Sequence, residues 1–214
     1  MLCALPHRCR GTQGLRLAFA GLLLVALGGA GCFEVREDLE IRDKTTGTFR
    51  VQVSLPLQVC RDFASAAPAL ARCLDPATGA TLFTEDRGFR LTKYRVFDTA
   101  DRKFVQVEGK LLDLQKALAS GVLGPFTYTL NEDGTRKLAL TWPAALLAGP
   151  ARPPPADLAA VLAGSALTLT VEVPREIVRA STTDVQGTVA KWTFRGDAAS
   201  TLPAHPPEIQ VIYR

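Results

Sequence analysis

Histidine is nearly missing from this chain: there are two in 214 residues, His7 and His205. Acyl transfer by a serine or cysteine draws its proton acceptor most often from histidine. His7 lies in a basic N-terminal stretch, and His205 sits in "LPAHPPE", where flanking prolines favour an exposed loop. Neither is a positioned base. Two cysteines and one histidine downstream of Cys32 also fall short of a zinc site. Neither a phosphate-cradling "GxxxxGK[ST]" nor a strand-linked "GxGxxG" occurs. No cluster of Lys and Arg with interleaved aromatics is present, which removes the electrostatic footprint expected of a nucleic-acid binder. The formal charge of +4 is concentrated at the front, where Arg8, Arg10 and Arg16 stand without an acidic residue before Cys32. The sequence thus points to no cofactor, no metal and no nucleic acid.

Carboxylates are the remaining route to chemistry, since a pair of them can cleave a glycosidic bond without histidine. The pairs Glu37 and Asp38, Glu85 and Asp86, and Glu132 and Asp133 are each adjacent in sequence. Adjacency on a strand sends two side chains to opposite faces. They read as solvated turn residues. "NEDGT" lacks the alternating acidic positions and closing glutamate of a calcium loop and reads as a hairpin turn.

The segment "LLLVALGGAGCFEV" turns from apolar to charged at a cysteine. The apolar run Leu17 to Leu27 is too short to cross a bilayer core, which needs about 20 apolar residues in a helix. With arginines before it and the small residues Ala30 and Gly31 after it, it reads as an export signal. At "GGAGC" the chain resembles the lipobox of bacterial lipoproteins, departing from it at Gly29, where that pattern prefers an aliphatic residue. The resemblance implies cleavage after Gly31, acylation of Cys32, and a lipoprotein of the bacterial cell envelope facing the periplasm or the exterior. The membrane is then its partner through Cys32. Residues 1–31 are expected to be the signal, and 32–214 a single domain.

Cys3 and Cys9 belong to the basic stretch, which leaves Cys60 and Cys73. In an oxidising compartment two such cysteines are expected to pair, closing a loop that stabilises by about 3 kcal/mol in the chain-entropy model. Pro68, opening a short helix in "PALARC", would bring the two within reach.

Period-two alternation dominates the rest. "TFRVQVSLPLQV" places Phe49, Val51, Val53, Leu55 and Leu57 on one face. "FRLTKYRVFDT" begins the same pattern at Phe89 and Leu91 and falls out of step after Lys93. "PFTYTLNEDGTRKLALTW" reads as a hairpin turning at Asp133 and Gly134, and "LTLTVEVP", "GTVAKWTF" and "EIQVIYR" alternate again. Two stretches break the rhythm. "GKLLDLQKALASG" has Leu111, Leu114 and Leu118 at helical spacing, with Gly121 as its end. The Pro/Ala-rich connection over 143–165 reads either as a second covering helix near Asp157 or as a loop insertion. The expected class is α+β, a largely antiparallel β-sheet with one or two helices packed on one face. A seam between sheet and helix at Leu111, Leu114 and Leu118 is the expected place for an apolar or amphipathic ligand.

The last third, "VEVPREIVRASTTDVQGTVAKWTF", resembles LppM-type envelope lipoproteins in its succession of strand, proline, turn, glycine and tryptophan, carried by Val171, Pro174, Ile177, Gly187 and Trp192. That family implies an antiparallel sheet with helices on one face and a non-enzymatic envelope role involving lipid. The expected function is a lipid-anchored, non-catalytic binding or interaction module. Its lipid or protein partner lies in the envelope. The alternatives are a structural or assembly subunit of an envelope complex, docking through an edge such as "EIQVIYR", and a hydrolase built on carboxylates.

Overall fold

The computed structural model describes residues 34–57, 60, 73–140, 166–195 and 209–214. Cys32, Pro68, Trp142, Asp157 and His205 lie outside them, as does the connection over 143–165. Among the described residues the fold is α+β, with two sheets and two short helices bounded within them. The larger sheet has seven strands in the order β3-β4-β2-β1-β7-β10-β9. Its members are β1 (Glu34–Ile41), β2 (Gly47–Pro56), β3 (Phe89–Asp98), β4 (Arg102–Leu111), β7 (Ala166–Glu172), β9 (Val185–Gln186) and β10 (Val189–Arg195). The smaller has the order β5-β6-β11-β8, from β5 (Phe126–Leu130), β6 (Arg136–Leu140), β8 (Ile177–Ala180) and β11 (Ile209–Tyr213). Every pairing is antiparallel except that of β1 with β7, so the larger sheet is mixed. Residues of both sheets share one apolar core.

The alternation in β2 is realised: Phe49, Val51, Val53 and Leu55 are buried. Fully burying such a side chain stabilises by roughly 1.5–3 kcal/mol. The change of phase in β3 is a bulge. Leu91 faces Gly109 and Lys93 faces Glu108, so Thr92 is extra, and its hydroxyl donates to the Glu108 carbonyl over 2.9 Å. Gly109 permits a close approach here. A Cβ on it would lie 2.6 Å from the Phe49 ring and 2.7 Å from the Arg90 carbonyl oxygen. Phe49 can therefore lie against the strand backbone, stacking on Phe83 with centroids 5.3 Å apart and meeting the edge of Phe89 at 5.4 Å.

The hairpin of β5 and β6 turns at Gly134, φ 80°, where Asp133 accepts the Thr135 N–H at 2.9 Å. Both helices are capped by aspartate. Asp75 accepts from Ala77 and Thr78 at the start of α1 (Pro76–Ala80), and Asp113 from Lys116 in α2 (Leu114–Ala119). α1 contacts β3, and α2 contacts β5. The expected longer helix is corrected: Gly109, Lys110 and Leu111 finish β4, because Leu111 pairs with both Gly47 and Phe89. Sheet pairing outweighs the local leucine spacing. Gly121, φ 71°, does follow the helix end as the spacing predicted.

A second correction concerns β11. "EIQVIYR" is no edge: β11 lies between β6 and β8, with Tyr213 fully buried and its hydroxyl 2.9 Å from that of Tyr128. Ser181 ties the two sheets together. Its hydroxyl accepts the Trp192 indole N–H of β10 at 3.1 Å and the Gln210 N–H of β11 at 3.0 Å.

Candidate functional site

β1 is the middle strand of the larger sheet, and its core face carries Val35, Glu37, Leu39 and Ile41. The three apolar members are 6%, 1% and 1% exposed. Glu37 is the exception in kind. Registers place it in a row across the sheet running Tyr94, Val107, Val51, Glu37, Leu169, Trp192. Its Oε1 is buried without a hydrogen-bond partner, while the residue as a whole is only partly buried. Burial, assisted by the charge of neighbouring Asp38, pushes the carboxyl up to about 8. At neutral pH it is predominantly the neutral acid.

The opposite face of β1 is ordinary by comparison. Arg36 pairs with Asp38 at 3.2 Å and Arg42 with Glu40 at 2.9 Å, both in solvent. Across the sheet Glu108 meets Arg50 at 3.5 Å and Lys93 at 3.4 Å. Of these, Asp38, Glu40, Arg50 and Glu108 border an open groove of about 470 Å³, together with Lys110 and Glu172. Its charges are mixed in sign; Arg50 pairs with Glu108 within it, while Asp38 and Glu40 pair with Arg36 and Arg42 beside it, and exposed pairs of this kind contribute about 0–1 kcal/mol each.

The reading of Glu37 and Asp38 as turn residues is therefore corrected. They lie in a strand, and adjacency sends Glu37 inward and Asp38 outward. Glu85 and Asp86 do sit in an exposed single 3-10 turn, and Glu132 and Asp133 in the β5–β6 turn. No three His, Cys, Asp or Glu side chains converge as a metal site among the described residues. No described helix is long and apolar enough to cross a membrane.

Leu111, Leu114 and Leu118 are brought together and closed off, at 0%, 0% and 2% exposure. As placed they offer no open surface, and a ligand between them would have to displace α2. No bridge joins Cys60 to Cys73, and both are buried. Burial pushes both thiols up, Cys73 to about 11. Val171 lies in β7, Pro174 follows that strand, Gly187 has φ 62° and Trp192 is buried in β10. Ile177, however, opens β8 and so joins the smaller sheet.

Neither a protein-family model nor a curated relative matches the chain. Among solved structures it is similar to the NMR structure of the folded domain of the Mycobacterium tuberculosis protein LppM. The two are 12% identical, with a TM-score of 0.49, over 87% of this chain and 92% of that one.

Glu37 is the residue that sequence reasoning missed. β1 is mostly charged, and "EVREDLEI" reads as a polar lead-in. The signal was there in the alternation of Val35, Leu39 and Ile41, which places position 37 on the same face.

Proposed function

We propose that the protein is a lipid-anchored module of the bacterial cell envelope that binds rather than transforms its partner. One observation carries the reading: Cys32, at the end of the export-type segment, stands two residues before Glu34, where the central strand of the larger sheet begins. Two residues reach at most about 7 Å. An acyl chain on Cys32 would hold the sheet, end on, directly against the bilayer surface. The binding role is supported by the dispersal of the carboxylates to opposite faces and solvated turns, and by a polar group set into the apolar side of the sheet.

A second reading, an assembly subunit, is favoured by the outer strands of the smaller sheet. Leu130 on β5 is 69% exposed and Val178 on β8 is 54% exposed, each beside a strand edge unpaired among the described residues. The test of the anchor is Cys32→Ala in the full chain. It should abolish incorporation of a labelled fatty acid and move the protein out of the membrane fraction. Unchanged label and fractionation would refute the anchor.

A further inference from the structure

We propose that Glu37 is the recognition group of a ligand site on the core face of the seven-stranded sheet. The site suits an amphipathic molecule with an aliphatic body and one hydrogen-bond-donating head, a hydroxyl or an ammonium. This deepens the binding role proposed above and rests on it.

The inference starts from the unpartnered Oε1. Buried polar groups in native structures are almost always hydrogen-bonded, and each exception calls for an explanation. No described residue supplies a partner at this position. Along β1 the same-face neighbours are Val35 and Leu39, and across it the registers give Val51 on β2 and Leu169 on β7. No titratable or charged side chain of β2 or β7 shares that face, which carries Phe49, Val53 and Leu55 on one side and Leu167 and Val171 on the other. The two polar groups at the ends of the row are already engaged. The Tyr94 hydroxyl donates to the Cys73 carbonyl at 2.6 Å, and the Trp192 N–H donates to Ser181. The one charge acting on Glu37 is that of Asp38, which is repulsive and points to the other face.

No described residue answers this oxygen, and Glu37 as a residue is only partly buried. Val51 and Leu169 are closed at 2% and 3% exposure, whereas Glu37 between them keeps part of its surface open. The surroundings choose the ligand's body and the carboxyl chooses its head. Aliphatic walls favour an alkyl chain, and an acid in apolar surroundings binds either a hydroxyl, as a neutral hydrogen-bonded pair, or an ammonium, as an ion pair formed when the acid gives up its proton.

The test uses the full chain held in amphipol, with 1-decanol and decylamine as probes, followed through the indole N–H resonance of Trp192 on the same row. Saturable binding of at least one probe is expected, with Glu37→Leu weakening it ten-fold or more. Glu37→Gln should retain decanol and lose decylamine. Binding of decanol alone identifies a hydroxyl head. Binding of decylamine with release of a proton below pH 8 identifies an ammonium. If neither probe saturates, or if Glu37→Leu binds as tightly as the parent, the site is overturned. Failure of both probes, with an envelope partner still captured by the parent and by Glu37→Leu alike, would overturn this site alone and leave the binding role standing. Fractionation of Cys32→Ala reports on the anchor independently of Glu37.

Discussion

Replacing Glu37 by glutamine should make the protein more stable, and by an amount that grows with pH. The carboxyl moves from an ordinary 4.5 to about 8 on folding, with burial as the main cause. Below 4.5 both states carry the proton and pH has no leverage. Between 4.5 and 8 the unfolded chain has released the proton and the folded chain has not, so stability falls by about 1.4 kcal/mol per pH unit; above 8 the loss levels off. From pH 5 to pH 8 the ceiling is therefore about 4 kcal/mol, and with Glu37 partly open to solvent about 2 kcal/mol is expected. Glutamine has nearly the same shape and no titration, so other groups largely cancel in the comparison. Urea unfolding of the full chain and of Glu37→Gln at pH 5, 6, 7 and 8, read by tryptophan fluorescence, should show the gap widening across the series. For a chain of this size, about 2 kcal/mol corresponds to a difference of about 4–8 °C in Tm at pH 8. A gap that stays constant within about 0.5 kcal/mol would refute the placement of Glu37 inside the sheet.

Two further expectations follow from the packing. Gly109→Ala should cost about 1–3 kcal/mol, because its methyl would meet the Phe49 ring and the fixed Arg90 carbonyl, whereas Gly134→Ala, with nothing within 4 Å, would be limited to the strain of its positive φ. Thermal unfolding of the two variants compares them; equal losses would refute the steric account. The second concerns Cys73: with its thiol near 11, its alkylation at pH 8 in the folded chain should be slowed roughly a hundred-fold or more relative to the unfolded chain. Rapid labelling, or a Cys60–Cys73 bridge in non-reducing peptide mapping, would contradict the buried thiols.

Much of the sheet was legible because its signals are local. β2 alternates cleanly, the β5–β6 hairpin carries Asp-Gly at its turn, and the bulge at Thr92 announces itself as a change of phase. What was not legible depends on partners distant in sequence. Leu111 has helical spacing to Leu114 and Leu118, yet Gly47 and Phe89 claim it for the sheet. β11 looks like an exposed terminal strand until β6 and β8 close over both of its edges. The parallel pairing of β1 with β7 joins segments more than a hundred residues apart, and it makes β1 the middle strand of the larger sheet.

The two faces of β1 show why Glu37 is hard to explain as a structural residue. On the outer face, charges recur at every second position and satisfy one another, Arg36 with Asp38 and Glu40 with Arg42. The same spacing on the inner face gives Glu37 only Val35 and Leu39, and the sheet adds Val51 and Leu169. Packing at that position would be served by valine, leucine or isoleucine, the residues the strand uses at 35, 39 and 41. A carboxyl there lowers stability at neutral pH and leaves an oxygen unsatisfied, a cost of about 1–3 kcal/mol by itself. Disagreement between a residue and its surroundings, in a strand that otherwise follows its pattern, is the mark of a functional position. The same surroundings that make the carboxyl unfavourable alone would strengthen any hydrogen bond a ligand brought to it. For that reason Glu37→Leu should separate the two roles, raising stability while removing the ligand.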